Sequence, residues 1–398
     1  MKLLIATDHR FHGSGDGGGI GGGIGGGIYD SYCFDRAFFD DYVQVFPEVR
    51  VAARVRHDGI PDGAARADGD GVGFVALADV GGARWTAAPR FAYLRELRAA
   101  VGWADAVCVR IPSVAGWHAA ELARRAGKPT MFELIGDPVA ALAPGEHGRL
   151  RSLFGALDAR RVRRITANAV AGSYVSKAHL QRAYPPGPTT RTDSISSIRL
   201  DESGITAPRP LAAPPDPLVV VLVASLVPVK RHDVLLRAVA EARSLGATIR
   251  LELVGGGGRR QPLEALAASL GIAEVTTFHG HVADLTAIDA ILAGADVFAM
   301  TSASEGMPRA MIEAMARGLP SVGSDAGGIA ELLGPSERFP AGDHRRLGSM
   351  LADLQHDPGR LAALSAAATE TAKDYSSERL ATRRRALLEH LASAVGSY

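Results

Sequence analysis

Apolar residues along this chain fall into short runs separated by longer stretches of helical character, and the runs come in two series. The first series occupies residues 3–6, 49–55, 106–110, 130–135 and 172–175. The second opens on Leu218-Val219-Val220-Val221-Leu222-Val223 and continues to about residue 340. Short apolar runs bounded by turn residues read as buried parallel strands. Strands that alternate with helices imply an α/β fold with a parallel sheet in each half. Between the series, after the stretch 195–200, stand Pro208, Pro210, Pro214, Pro215 and Pro217, which predict a stiff linker. Residues 360–393, rich in Ala, Leu, Arg and Glu, predict helix. The expected organisation is a first domain over 1–200, a linker over 201–217, a second domain over 218–375 and a terminal helical segment over 376–398.

One strand–loop–helix–strand unit in the second series carries the clearest chemistry. Asp296-Val297-Phe298-Ala299-Met300 reads as a buried strand, bounded by Gly294 and by Thr301 and Ser302. Pro308 suits the first helical position, where its missing N–H costs nothing and its φ is preset. Gly318 and Pro320 stop the helix, and Ser321-Val322-Gly323 starts the next strand. The intervening loop then lies at the carboxyl end of the sheet, where open α/β folds bind ligands. Free N–H groups of residues 306–309, with the helix dipole, offer a place for an anion or a hydroxyl.

Ala310, Met311, Ala314 and Met315 form the apolar stripe of that helix, which leaves Arg309, Glu313 and Arg317 on the opposite face. A glutamate between two arginines at this spacing is ordinarily a surface pair worth about 0.2–0.5 kcal/mol. Glu305 changes that reading, because it places a second carboxylate eight residues before Glu313, around one glycine turn.

The Glu305 to Glu313 spacing matches the E-x7-E motif of family 4 of the retaining nucleotide-sugar glycosyltransferases, and the chain resembles that family over about 120 residues. The blocks that carry the resemblance keep the family's order. They are Val-Leu-Val-Ala-Ser-Leu-Val-Pro-Val-Lys-Arg-His from Val221, Leu253-Val254-Gly255-Gly256-Gly257-Gly258, and Phe278-His279-Gly280-His281-Val282. Ser-Glu-Gly-Met-Pro from Ser304 and Gly-Leu-Pro-Ser-Val-Gly-Ser-Asp-Ala-Gly-Gly from Gly318 complete the set.

The resemblance implies a GT-B architecture: two Rossmann-like domains with parallel sheets, a cleft between them, and a last helix that packs back on the first domain. It implies that Glu305, with the backbone of Gly306, Met307 and Pro308, holds hydroxyls of a donor hexose near its anomeric carbon. Glu313 then accepts hydrogen bonds from the ribose hydroxyls, Lys230 sits on the diphosphate, and Gly255 lets the backbone approach the phosphates. The main chain around His281 and Val282 reads the base. One departure is Ser225, where many members of the family carry Arg; losing a charged donor to phosphate costs about 1.5–3 kcal/mol unless replaced. Arg231, Arg259 and Arg260 are the candidate replacements, against the plainer reading of each as a solvated charge. In the first domain Asp137, in Glu133-Leu134-Ile135-Gly136-Asp137-Pro138, stands where many relatives place a residue on the donor sugar; a turn or cap role competes evenly. His9, Arg10 and His12 follow the first strand and so point towards the expected cleft, although an exposed polar loop is the favoured reading.

The implied activity is transfer of a hexose or N-acetylhexosamine from a UDP- or GDP-linked sugar to an acceptor hydroxyl, with retention and with no metal or other cofactor. Two alternatives keep the same fold: a nucleotide-sugar 2-epimerase, and a non-catalytic sugar-nucleotide-binding protein, which Ser225 favours. The acceptor is a cell-surface glycan intermediate or a small natural product.

Composition narrows the remaining classes. With 398 residues, the chain is long enough for two domains, and Lys+Arg 44 against Asp+Glu 43 gives a net charge of +1, which does not favour a nucleic-acid partner. Two cysteines, Cys33 and Cys108, support neither a disulfide framework nor a zinc cluster and fit a reducing cytoplasm. The chain opens directly on a strand, with no leader pattern and no apolar run long enough to span a bilayer. Arg160-Arg161-Val162-Arg163-Arg164, with Lys177 and Arg182, could meet anionic lipid as a peripheral contact at the inner face of a membrane, although a solvated helix face is the plainer reading. Asp68-Gly69-Asp70 has the D-x-D form of metal-dependent transferases but lies in a Gly/Asp turn. Residues 17–28 repeat Gly-Gly-Gly-Ile and read as a low-complexity insertion before a helix expected over Tyr32 to Phe46.

Overall fold

The computed structural model of the protein describes residues 1–14, 26–31, 34–78, 87–141, 148–210 and 213–397. It divides into two compact units, Met1–Ile195 together with Ala381–Tyr398, and Ser196–Leu380. The helix Ser377–Ser393 therefore counts with the second unit up to Leu380 and with the first from Ala381.

The sheet of the first unit comprises β1 (Lys2–Gly13), β2 (Ile28–Asp30), β3 (Glu48–Arg56), β4 (Ala65–Arg66), β5 (Val72–Leu77), β6 (Ala106–Ile111), β7 (Thr130–Leu134), β8 (Ala171–Tyr174) and β9 (Arg191–Ser194). β1 lies parallel between β3 and β6; β5 flanks β3, and β7, β8 and β9 continue from β6, all parallel. β6, Ala-Val-Cys-Val-Arg-Ile, is buried along its whole length, as a strand covered on both faces must be.

β1 runs well past its apolar opening. Beyond Ala6 its ladder with β3 shifts register and re-forms at Arg10 opposite Arg54, and its end pairs antiparallel with β2. His9, Arg10 and His12 therefore stand in a strand, not in an exposed loop. Asp30, on β2, is buried; its carboxylate bonds the His9 ring at 2.6 Å and accepts from Phe34 N at 2.8 Å. Of the glycine repeat, residues 17–25 lie outside the described residues. Its flanks close on each other, with Gly13 opposite Ile28 and Ser14 N donating to the Gly27 carbonyl at 3.0 Å. Tyr32 and Cys33 also lie outside the described residues. The helix expected from Tyr32 is a 3-10 turn, Arg36–Phe39, followed by the helix Asp40–Val45, and Asp35 caps it by accepting from Phe38 N at 3.0 Å.

A buried polar knot ties this segment to the sheet. The Tyr42 hydroxyl donates to Glu133 on β7, and the other Glu133 oxygen pairs with Arg110 on β6. Arg384, from the terminal helix, pairs with Asp41 at 2.6 Å and lies 5.7 Å from the Phe38 ring centre. Arg110 in turn lies 4.9 Å from the ring centre of Phe34. Arginine charges face carboxylates throughout, which is the condition under which buried ions are tolerated. Burial, and then the Glu133 carboxylate, push the Tyr42 hydroxyl far above its usual range, so it remains a donor.

The second unit has the strands β10 (Leu218–Val223), β11 (Ile249–Val254), β12 (Thr276–Gly280), β13 (Val297–Met300), β14 (Ser321–Ser324) and β15 (Arg338–Phe339). All pair parallel, in the order β12-β11-β10-β13-β14-β15. Strand order reverses between β10 and β13, and such a switch point opens a crevice at the carboxyl ends of the two strands.

Part of the Pro-rich stretch is fastened to this unit. Thr206 N donates to the Ala316 carbonyl at 2.7 Å, and Arg209 N to Ser365 Oγ at 2.7 Å. The half-buried Arg209 guanidinium donates to the carbonyls of Leu292 at 2.9 Å, Arg317 at 3.1 Å and Ala295. These carbonyls close the carboxyl ends of the helices Leu285–Ala293 and Arg309–Ala316, where unsatisfied acceptors and the dipole favour a cation.

Removing Arg384 strands the Asp41 carboxylate in a largely buried site. Arg384→Ala is expected to cost about 3 kcal/mol in the first unit, read as a lower urea midpoint for the signal that reports it. An unchanged midpoint would show that the pair contributes nothing net.

Candidate functional site

The loops that follow β10 and β13 meet at the switch point and are tied together by one main-chain bond and one hydroxyl-to-carbonyl bond. Ala303 N donates to the Val229 carbonyl at 2.8 Å, and Thr301 Oγ1 to the Lys230 carbonyl at 3.1 Å. Lys230 ends a 3-10 turn, Pro228–Lys230, and its ammonium pairs with the Glu305 carboxylate. The same Glu305 oxygen accepts from Ser302 Oγ at 2.7 Å, and the carbonyl of Ser302 accepts from Ser324 Oγ at 2.6 Å. The Lys230 and Glu305 side chains are 25% and 12% exposed, so the pair is largely but not wholly withdrawn from solvent.

The backbone of the Glu305 loop is held by a second contact. Gly328 N donates to the Glu305 carbonyl at 3.0 Å. Gly327 has φ +53°, and a Cβ there would lie 2.2 Å from the Glu305 carbonyl oxygen; one on Gly328 would lie 2.1 Å from that of Gly306. Only glycine permits this approach. Met307 is buried beneath the loop, its Sδ 3.7 Å from the Tyr375 hydroxyl.

The helix after the loop, Arg309–Ala316, has Pro308 as its N-cap, one position earlier than expected. Its buried residues are Met311, Ile312, Ala314, Met315 and Ala316, so Ile312 belongs to the apolar face and the half-exposed Ala310 does not. Glu313 is half-buried, and the arginine ladder is not made. Arg309 is exposed, while Arg317 donates to the Glu313 carbonyl at 2.7 Å and pairs with Asp289. Among the described residues the Glu313 carboxylate has no partner.

The glycine turn after β11 packs directly on the β10 loop. Gly255 has φ +147° and Gly257 φ +151°; Cβ atoms there would lie 2.1 Å from the Ala224 carbonyl oxygen and 2.5 Å from that of Leu226. Leu226 N donates to the Gly256 carbonyl at 2.8 Å, and Gly255 N to that of Gly280 at 2.8 Å. The need for glycine at 255 thus comes first from loop-on-loop packing. Ser225 is exposed on the neighbouring turn, and His281 and Val282, exposed and half-buried, follow β12.

His232, at the first turn of the helix His232–Ser244, is buried with Nε2 unpartnered; burial lowers its pKa to about 4, against a bond to the Ala224 backbone that raises it. Arg231 is left-handed at φ +50° and donates to both Asp233 oxygens at 3.1 Å, and Arg260 donates to Glu264 at 2.8 Å and to the Phe278 carbonyl at 3.1 Å.

Most of the predicted site residues therefore come together on the second unit, while Asp137 belongs to the first. Asp137 Oδ1 accepts from the Tyr184 hydroxyl at 2.5 Å and from Val139 N at 2.9 Å, both bonds of a turn residue ahead of the helix Pro138–Ala141. Asp68 likewise accepts from Ile28 N at 3.1 Å and Arg66 Nε at 2.8 Å. In the basic stretch, Arg161 pairs with Asp158 at 3.2 Å, Arg163 donates to the Ala183 carbonyl at 3.1 Å, and Arg164 lies 3.7 Å from Glu121. Among the described residues no helix is long and apolar enough to cross a membrane. Ser302, Gly327, Gly328 and His232 lie in or beside the blocks that carry the resemblance, yet their positioning role shows only in the contacts; the adjacent glycines before a short helix are the signal the sequence offers for it.

The two parallel α/β units are those of a GT-B protein. HepE of Anabaena, solved with UDP and glucose, superposes with a TM-score of 0.66 at 19% identity, over 99% of this chain and 100% of that one. A model of the family described as glycosyl transferases group 1 matches residues 205–371. The GDP-mannose-dependent alpha-(1-6)-phosphatidylinositol monomannoside mannosyltransferase of Mycolicibacterium smegmatis is 32% identical over 269 residues, 64% of this chain and 68% of that protein. Protein CapJ of Staphylococcus aureus is 24% identical over 81% of each chain. The chain belongs to the glycosyl transferases group 1, and the expected enzyme class, a glycosyltransferase, goes with that membership.

Gly327→Ala should force the Glu305 carbonyl aside and cost about 2–4 kcal/mol of stability. Gly258→Ala, at a position where a Cβ meets nothing within 4 Å, should change stability by under about 0.5 kcal/mol. Urea unfolding of the two variants checks this, and equal midpoints would refute the packing constraint.

Proposed function

We propose that the chain is a retaining glycosyltransferase of family 4, moving a hexose or N-acetylhexosamine from a UDP- or GDP-linked sugar to an acceptor hydroxyl. The observation that carries this reading is the pairing of opposite conditions in one site. Glu305 and Lys230 are enclosed and oriented by Ser302 and by the loop backbones, while the Glu313 carboxylate stands unpaired beyond the same loop. An oriented ammonium suits a leaving diphosphate, an oriented carboxylate suits sugar hydroxyls, and an unpaired one suits a vicinal diol such as ribose.

In this reading Glu305 and the backbone of Gly306, Met307 and Pro308 hold the donor sugar, Glu313 takes the ribose hydroxyls, and Lys230 lies on the diphosphate. Gly255 and Ser225 border the phosphates, and the main chain at His281 and Val282 borders the base. The acceptor hydroxyl attacks the face from which the nucleotide leaves, and its proton passes to a leaving phosphate oxygen. Negative charge developing there meets Lys230 and backbone N–H groups, with no metal needed. A relative named for GDP-mannose and an alpha-(1-6) linkage supports a nucleotide-sugar donor and a hydroxyl acceptor of the glycan-intermediate kind. The small-natural-product acceptor stays open beside it. We place the enzyme in the cytoplasm, with Arg160 and Arg182, whose side chains have no partner among the described residues, available for peripheral contact with an anionic membrane.

Nucleotide release, followed with candidate acceptors present and absent, tests the activity: acceptor-stimulated release supports transfer. Isomerised sugar with no acceptor points to an epimerase, and binding without turnover to a non-catalytic protein. Glu313→Ala is expected to raise donor KM about tenfold or more with a smaller effect on kcat; an unchanged KM removes Glu313 from the ribose. Activity should survive excess EDTA, and a loss that magnesium restores would overturn the metal-free mechanism.

A further inference from the structure

The loops that follow β10, β11 and β13 carry the cations Lys230, Arg231, Arg259, Arg260 and Arg309. Lys230 is answered by Glu305, Arg231 by Asp233, and Arg260 by Glu264. Arg309 is exposed at the head of its helix, where water can solvate it. Arg259 differs from all of these. It is half-buried, and among the described residues its guanidinium has no hydrogen-bonding or ionic partner. A guanidinium keeps its charge at any pH at which proteins fold, so an unpaired one drawn partly out of water is a site prepared for an anion.

Its position is fixed by main-chain contacts. Arg259 N donates to the Leu226 carbonyl at 3.3 Å, and two residues earlier Gly257 packs against that same carbonyl. The backbone of Arg259 is thus anchored beside exposed Ser225 and the turn that carries Lys230. A Cβ at Gly258 would meet nothing within 4 Å, so the space in front of this turn is open. A diphosphate entering there brings more negative charge than Lys230, already partly compensated by Glu305, can answer by itself.

We propose that Arg259 is a binding residue for the donor diphosphate, standing on the β11 side of the phosphates while Lys230 stands on the β10 side. This rests on the donor-site reading given above. The arrangement assigns the two cations to different loops, so that the contacts at Gly255 and Gly257 set the distance between them. Arg231 and Arg260, held by their own carboxylates, take no part.

The test is calorimetric titration of the full chain with UDP and with GDP, and with uridine and guanosine as the phosphate-free probes. For whichever diphosphate binds, Arg259→Gln should weaken affinity about tenfold or more, with nucleoside affinity unchanged. Arg259→Lys should recover part of the loss, and Arg260→Gln should stay within about twofold of the parent chain. Equal diphosphate affinity in Arg259→Gln would overturn the role of Arg259 while leaving the donor site in place. A parallel loss of nucleoside binding would overturn it too, because the loop rather than the charge would then be at fault. A parent chain that binds neither UDP nor GDP would overturn the donor reading itself, and this inference with it.

Discussion

Backbone contact without side chains is the constraint on which the candidate site depends. Gly255 and Gly257 press on the carbonyls of Ala224 and Leu226, and Gly327 and Gly328 press on those of Glu305 and Gly306. In each case a methyl group would overlap a carbonyl oxygen, so the loops approach as closely as polypeptide can. The loops after β10, β11 and β13 and the segment after β14 thereby become one connected surface. Charges mounted on that surface keep their spacing because the main chain, not side-chain packing, sets it. Catalysis by preorganised charge needs this kind of rigidity, since reorganisation at the moment of reaction would forfeit the electrostatic gain.

Much of the second unit was legible in the sequence, and for a physical reason. Its strands are short apolar runs bounded by turn residues, so β10 and β13 can be placed from their own residues, and the family resemblance then picks out Glu305, Lys230 and the glycine turn. What the sequence withheld was pairing. It could not say that Glu305 meets Lys230, that Arg317 turns away from the Glu313 carboxylate to Asp289, or that Asp137 is taken up by Tyr184 and Val139. Those outcomes depend on where side chains settle in three dimensions, to which periodicity is blind. In the first unit even the strands were harder to bound. The second half of β1 carries histidines and an arginine, and its extension is set by pairing with β2 and β3 rather than by its own propensity.

The two units also use charge differently. In the first, titratable groups are largely consumed by structure: Arg110, Glu133, Asp41 and Arg384 satisfy one another in a buried knot, and Asp8 accepts from Val114 N at 2.6 Å at the start of a helix. In the second, the side chains of the half-buried Glu313 and Arg259 remain unanswered, among the described residues, beside the pairs Lys230–Glu305, Arg231–Asp233 and Arg260–Glu264. Unsatisfied groups are costly to a fold in isolation, and their retention beside a rigid crevice is what separates a site from a scaffold.

Arg209 has a consequence for how such chains can be recombined. A reader of the sequence would cut at the proline run and take β10 as the beginning of a transplantable module. The guanidinium that closes the carboxyl ends of the helices Leu285–Ala293 and Arg309–Ala316 lies upstream of that cut, so a graft beginning at Leu218 would carry both helices with bare carbonyls. Exchange of the second unit between homologues, whether by gene shuffling or by design, has to keep residues 206–209 with their own helices. The natural seam of this protein therefore lies ahead of its most conspicuous spacer.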